Sequence, residues 1–503
     1  MGDDAVKLAG HAERLARNRV RSRAMVLGLV LLTFTAAGSA QTWNLAWNDE
    51  FNGAPNSPIS PTNWQYDTGI LNVNNEVEYY CAPGSNTLPC VASTPNAYID
   101  GNGHLVIKAI QISSSTAPYS GSWTSARLKS ETLQSFQYGR LESSMTLPVG
   151  AGLWPAYWAL GNNIYSVGWP ASGEMDFMEN VPASGGLGPT KIQSTIHGGN
   201  SSTSCYCDDT GMGLPYTFPS NDANGPDVTT FHSYGAIWSY NMVQFYVDNP
   251  TNIFFVRTAS DLPSGFTWDF NHPFFLLLNL AVGGTGSWPG ATNSSTPNPA
   301  LMVVDYVRYY QPASAVVGPS MSGSPISVQA GSVGSSTISL NSMSGSGRVY
   351  LSCTATAPGA SCAINSGDPL DQYTVDFSNS ASGTATVTVT TAASTARLVK
   401  PTGFDRRTLR AGLFALILIG FILVVLVFIP AKWNRSLRRA LGAGLIVLFL
   451  LATGCGGGGS SSSGTGGGVT PSSYTVTVNA YTVSNTSGNP DSTANIVLTV
   501  KGL

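Results

Sequence analysis

The sequence predicts an all-β chain whose main part, residues 41–312, is a two-sheet sandwich of jelly-roll type. Its short apolar runs alternate with Gly, Pro, Asn and Ser turns, and no helical period is sustained. Only 10% of the 503 residues are charged while Gly numbers 55 and Tyr 20, a balance that favours an extracellular β protein over a helical cytosolic one. The clearest runs, 105–109, 136–147, 193–197, 234–238, 243–247, 274–282 and 302–310, recur with the strand and turn spacing of a sandwich.

The flanks of this region read differently. Arg14, Arg17, Arg19, Arg21 and Arg23 precede an apolar run ending in small residues at Gly38-Ser39-Ala40, so 1–40 is expected to be an export signal. Residues 313–325 are small and linker-like, and 326–396 alternate Ser, Thr and Val as a small immunoglobulin-like β domain would. An uncharged run at 411–429 is long enough, at about 1.5 Å per residue, to cross a hydrocarbon core of about 30 Å. A second hydrophobic helix is expected at 441–454, with Lys432, Arg435, Arg438 and Arg439 between the two favouring a cytoplasmic loop. A Gly/Ser linker at 456–472 then leads to a β-rich tail at 473–503 that looks truncated and in need of a pairing partner.

Charge and cysteine narrow the function classes. Residues 41–312 carry 7 Lys and Arg against 19 Asp and Glu, which excludes a nucleic-acid partner and disfavours an anionic polysaccharide. Cys81 with Cys90 and Cys353 with Cys362 are spaced for short disulfide loops, whereas a Cys205/Cys207 loop is strained and Cys455 stands alone. The five His are scattered without zinc-ligand spacing.

The chemistry concentrates in Glu174-Met175-Asp176-Phe177-Met178-Glu179. Strand alternation puts Glu174 and Asp176 on one face and Met175 and Phe177 on the other, and a bulge near Phe177 or Met178 returns Glu179 to the acidic face. Buried carboxylates demand partners or a task. Two of them about 5–5.5 Å apart suit double-displacement glycoside hydrolysis. The competing readings of this stretch are an exposed acidic strand or a calcium loop.

This hexapeptide matches the E-x-D-x-x-E signature of glycoside hydrolase family 16, and the surrounding segments resemble its laminarinase-like members in order. They are Trp47-Asn48-Asp49-Glu50-Phe51, Asn74-Asn75-Glu76-Val77-Glu78-Tyr79-Tyr80, Tyr138-Gly139-Arg140-Leu141-Glu142, Trp154-Pro155-Ala156-Tyr157-Trp158, Asn279-Leu280-Ala281-Val282-Gly283-Gly284 and Val304-Asp305-Tyr306-Val307-Arg308. The resemblance covers 41–312 and implies a concanavalin A-like jelly roll, with Glu174 as nucleophile, Asp176 as helper and Glu179 as general acid/base. Trp154, Trp158 and Trp169 are the stacking candidates for a pyranose face, and Asn75, Glu76, Arg127 and His197 the hydroxyl-binding ones. Core packing is the competing role for Trp158, and a structural hydrogen bond for His197. The resemblance also implies a structural calcium at Glu50 and Asp305, with no cofactor needed for catalysis.

The expected protein is thus an exported, retaining endo-β-glucanase acting on β-1,3 or mixed β-1,3-1,4 glucan, held at the cell surface by its C-terminal hydrophobic helices or else secreted. The alternatives are a hydrolase or transglycosylase of the same family on another β-glycan such as a galactan, a non-catalytic glucan-binding protein, and a structural surface protein.

Overall fold

The computed structural model describes residues 41–113, 122–201, 203–207, 211–313, 317–341, 343, 347–378, 380–393 and 471–501. The stretch 1–40 expected to be an export signal, the apolar segments at 411–429 and 441–454, Cys455 and nearly all of the expected linker at 456–472 lie outside them. Among the described residues no helix is long and apolar enough to cross a membrane. The chain divides into two compact units, the larger comprising Met1–Ser327, Val333–Thr390 and Ser473–Thr499 and the smaller Val328–Ser332, Thr391–Ser472 and Val500–Leu503. In the smaller, Gly331 N–H donates to Ala392 O and Ala330 N–H to Lys501 O, at 2.8 and 2.9 Å.

Residues 41–312 form two β-sheets around one core. The back sheet runs Ile253–Thr258, Met242–Val247, His232–Ser239, Gly139–Thr146, Ala300–Pro312, Leu105–Gln111, Trp123–Ser125, Glu78–Tyr80, with Trp43–Asp49 and Ala97–Ile99 pairing off that path. The cleft sheet runs Ser204–Tyr206, Lys191–Ser201, Glu174–Glu179, Leu153–Gly161, Phe274–Val282, Arg127–Lys129, Gln65–Asp67, with Gly213–Thr217 added to Lys191–Ser201. The core between the two sheets includes Tyr157, Met175, Phe177, Trp238, Phe245 and Phe274. Phe274–Val282 is buried at every position, as expected of a central strand covered on both faces. Leu153–Gly161 lies between it and the acidic strand.

The C-terminal β region holds a four-stranded sheet, Ser320–Gly323, Val333–Asn341, Ser382–Thr390, Ser361–Asn365. Its companion is a five-stranded sheet in which Ser492–Lys501, Ser472–Tyr481, Arg348–Ala355 and Thr374–Asp376 lie side by side. One expectation changes here. Ser320–Gly323, inside the stretch read as a linker, pairs with Val333–Asn341 through main-chain bonds that its small side chains do not advertise. The tail, expected to need a pairing partner, has one: Val476–Tyr481 runs in unbroken antiparallel register with Tyr350–Ala355.

Cys81–Cys90, Cys353–Cys362 and also Cys205–Cys207 are disulfide-bonded. The last pair departs from the sequence expectation.

Candidate active site

The acidic strand carries the irregularity that its parity demands. Against Leu153–Gly161, Asp176 lies opposite Trp158 and Met178 opposite Tyr157, so Phe177 is the extra residue. On the other edge Asp176 faces Thr195 and Glu179 faces Gln193, with the same shift between them. Met175, Phe177 and Met178 therefore all enter the core. Glu174, Asp176 and Glu179 line one open cleft together with Asn74, Glu76, Arg127, Trp154, Trp158 and Asn279.

Each acid has a specific neighbour. Trp169 Nε1 donates to Glu174 Oε2 at 3.0 Å, and Trp154 Nε1 donates to Glu179 Oε1 at 2.9 Å. His197, opposite Glu174 on the next strand, puts Nε2 3.0 Å from Asp176 Oδ2 and 3.9 Å from Glu174 Oε1. Burial and the adjacent Asp176 push the Glu174 carboxyl up to about 8, against the opposing pull of His197, Trp169 and Arg127.

The far wall of the cleft is built by side-chain relays. Trp158 Nε1 donates to Asn279 Oδ1 at 2.7 Å, and the Arg127 guanidinium lies 4.7 Å from the Trp158 ring centre. Asp67 holds Arg127 at 2.9 Å and Lys129 at 2.9 Å. Asn74 Nδ2 donates to Glu76 Oε1 at 3.1 Å. Beneath Glu76, burial and the Glu76 charge raise Glu78 to about 8, and its Oε2 accepts the Val282 N–H at 2.8 Å.

Most of the residues expected at the site meet there. Arg127, Glu76, Trp154 and Trp158 line the cleft, while Trp169 stands beside it, 44% exposed. Asn75 instead ties a neighbouring turn through Nδ2 to Gly286 O, and Asn74 takes the cleft position. Asn279 went unrecognised as a site residue, and a lone Asn inside the apolar run 274–282 was the available signal for it.

The calcium expectation does not fit. Both Glu50 oxygens are taken by Arg308, at 2.8 and 2.7 Å, which leaves its charge neutralised. Asp305 sits where the register of Ala300–Pro312 shifts, and it alone does not make an oxygen cage. Ligand atoms do converge within 4.8 Å at Asp222, His232 and Asp248, but Nδ1 of His232 is bonded to Asp248 and its Nε2 to Thr230. Among the described residues the other such cluster, Glu174, Asp176 and His197, is the acidic site itself.

The profile of glycosyl hydrolases family 16 matches residues 86–308. Over 309 residues the chain is 32% identical to the beta-glucanase of Rhodothermus marinus, covering 59% of this chain and 96% of that protein. The chain belongs to glycosyl hydrolases family 16. It is also 33% identical over 276 residues to the glucan endo-1,3-beta-glucosidase A1 of Niallia circulans, covering 53% of this chain and 38% of that longer relative. Among solved structures, the endo-beta-1,3-glucanase of Pyrococcus furiosus shares 36% identity over 55% of this chain and 97% of its own, with a TM-score of 0.45. The bulged acidic strand of this family 16 chain lies inside the matched region.

Proposed function

We propose that the chain is a retaining endo-β-glucanase that cleaves internal β-1,3 or mixed β-1,3-1,4 glucosidic bonds. The observation that carries this reading is the register shift at Phe177, which returns Glu179 to the cleft shared by Glu174 and Asp176. Two family 16 relatives named for glucan cleavage support the choice of substrate.

In this mechanism Glu174, ionised, attacks the anomeric carbon while Glu179 protonates the departing glycosidic oxygen, giving a glycosyl-enzyme ester and a shortened glucan. Glu179, now a carboxylate, takes a proton from water, which breaks the ester and restores Glu174 with the anomeric configuration retained. Asp176, held by His197, receives the proton that Glu174 must give up before it attacks. Trp158 offers its ring to a sugar face, with Arg127 and Asn279 holding that ring in place. Reducing ends released from a linear 1,3-β-glucan and a mixed-linkage glucan, with the product anomer read by NMR, test the assignment. Equal activity in Glu174→Gln would reject it, and binding without cleavage would point to a glucan-recognition protein.

The same reading places the enzyme outside the cell and on a membrane. Its supports are the arginine-led apolar start, the apolar runs at 411–429 and 441–454, and the pairing of Ser472–Tyr481 with Arg348–Ala355. That pairing requires both flanks of 391–471 to lie on one side of a bilayer, as two crossings do. Full release of the chain into the soluble fraction by alkaline carbonate would reject the anchor.

A further inference from the structure

We propose that Trp154 and Trp169 are positioning residues for the two catalytic glutamates, each fixing one carboxylate through its indole N–H as well as offering a ring to the glucan. The inference rests on the roles assigned above to Glu174 and Glu179. An indole nitrogen donates and cannot accept, so each bond selects an oxygen that carries no proton. Trp154 takes Oε1 of Glu179 at 2.9 Å, which confines the proton that Glu179 delivers to Oε2. Trp169 takes Oε2 of Glu174 at 3.0 Å, which leaves Oε1 as the attacking atom.

The two tryptophans are braced independently. Trp154 meets Trp288 edge to face at 5.5 Å and 89°, and Trp288 Nε1 is tied to Gly185 O at 2.9 Å. Trp169 also leans toward the His197 ring, 6.2 Å away, and so meets two members of the cluster of Glu174, Asp176 and His197. Trp158 provides the contrast within the same cleft, because its N–H goes to Asn279 and to neither glutamate.

A hydrogen bond to a carboxylate strengthens as the group ionises, so loss of the donor raises the pH at which that carboxylate loses its proton. The consequences fall on opposite sides of the pH profile. Glu174 must be ionised, so Trp169→Phe moves the acid limb of kcat/KM upward by about one pH unit, a tenfold change in proton affinity. Glu179 must begin protonated, so Trp154→Phe moves the alkaline limb upward by a similar amount. Trp158→Phe alters KM and leaves both limbs in place.

The experiment is the pH profile of kcat/KM for the full chain and these three variants. Limbs that stay fixed in active Trp154→Phe and Trp169→Phe enzymes overturn the inference while leaving the glucanase reading intact. An unmutated chain that releases no reducing ends fails the underlying reading instead. Should a Phe variant not fold, the indole 15N signals of chains that keep all their tryptophans decide. One signal must titrate unless Glu174→Gln is present, another unless Glu179→Gln is present, and a set in which no signal responds to either change overturns the inference.

Discussion

Glu142 and Glu179 are almost equally buried, at 6% and 9% exposure, yet the fold uses them in opposite ways. Glu142 lies in an unbroken part of the back sheet, with Gly235 opposite on one side and Arg308 on the other. Its two oxygens are filled by phenols, Tyr246 at 2.7 Å and Tyr306 at 3.0 Å, and Tyr306 also bonds Ser233 Oγ at 2.9 Å. Glu179 lies beside a bulge and lines an open cleft with three other acids, Glu76, Glu174 and Asp176. A buried carboxylate satisfied by hydroxyls within its own sheet is a structural knot. One displaced by an extra residue toward a groove faces outward, where the proposed cleavage needs it.

The comparison can be broken first at its strongest point. Glu179→Gln and Glu174→Gln should each lower kcat/KM by at least about 10³-fold, measured as reducing ends released, with the circular dichroism of the folded chain retained. Glu142→Ala should do the reverse. Stranding the buried Tyr246 hydroxyl, while Tyr306 keeps Ser233, costs about 1–3 kcal/mol in denaturant unfolding, with kcat/KM changed less than about twofold. If Glu142→Ala abolished cleavage of a folded protein, the division between the two faces would be wrong.

Smaller effects sharpen it. Asn279→Ala removes the acceptor of the Trp158 N–H, so KM should rise about tenfold, as expected for about 1.4 kcal/mol of lost positioning, with a lesser change in kcat. The smallest effect concerns stability and pH. The Glu174 carboxyl is raised in the folded chain from an ordinary 4.5 to about 8, so the folded state holds a proton that the unfolded chain has already released. That contribution is full below about 4.5 and is lost as pH rises through about 8. Glu174→Gln should therefore melt a few degrees above the unmutated chain at pH 8 and show little difference at pH 4, by scanning calorimetry.

Much of the site was legible because its logic is local. Three acids in six residues, with parity broken at the last, already imply a strand with an irregularity, and Phe177 supplies it. What stayed hidden depends on partners far apart in the chain. Trp158 meets Asn279 across 121 residues, and Glu50 meets Arg308 across 258, so neither the relay nor the neutralised acid shows in a linear pattern. The tryptophans were read as rings because composition reveals their area and conceals the direction of the N–H. Asn75 and Asn74 exchanged roles for a related reason. Both adopt positive φ, at 56° and 53°, in a turn whose side-chain directions the sequence does not set.

The seam between Ser472–Tyr481 and Arg348–Ala355 bears on how the chain is made. A ribosome releases the older strand more than a hundred residues before its neighbour exists, and during that interval its flank presents unpaired amides to any passing β-strand. Nascent chains halted before Ser472 should consequently stick to one another or be captured by chaperones. Completion of the polypeptide is what seals that border.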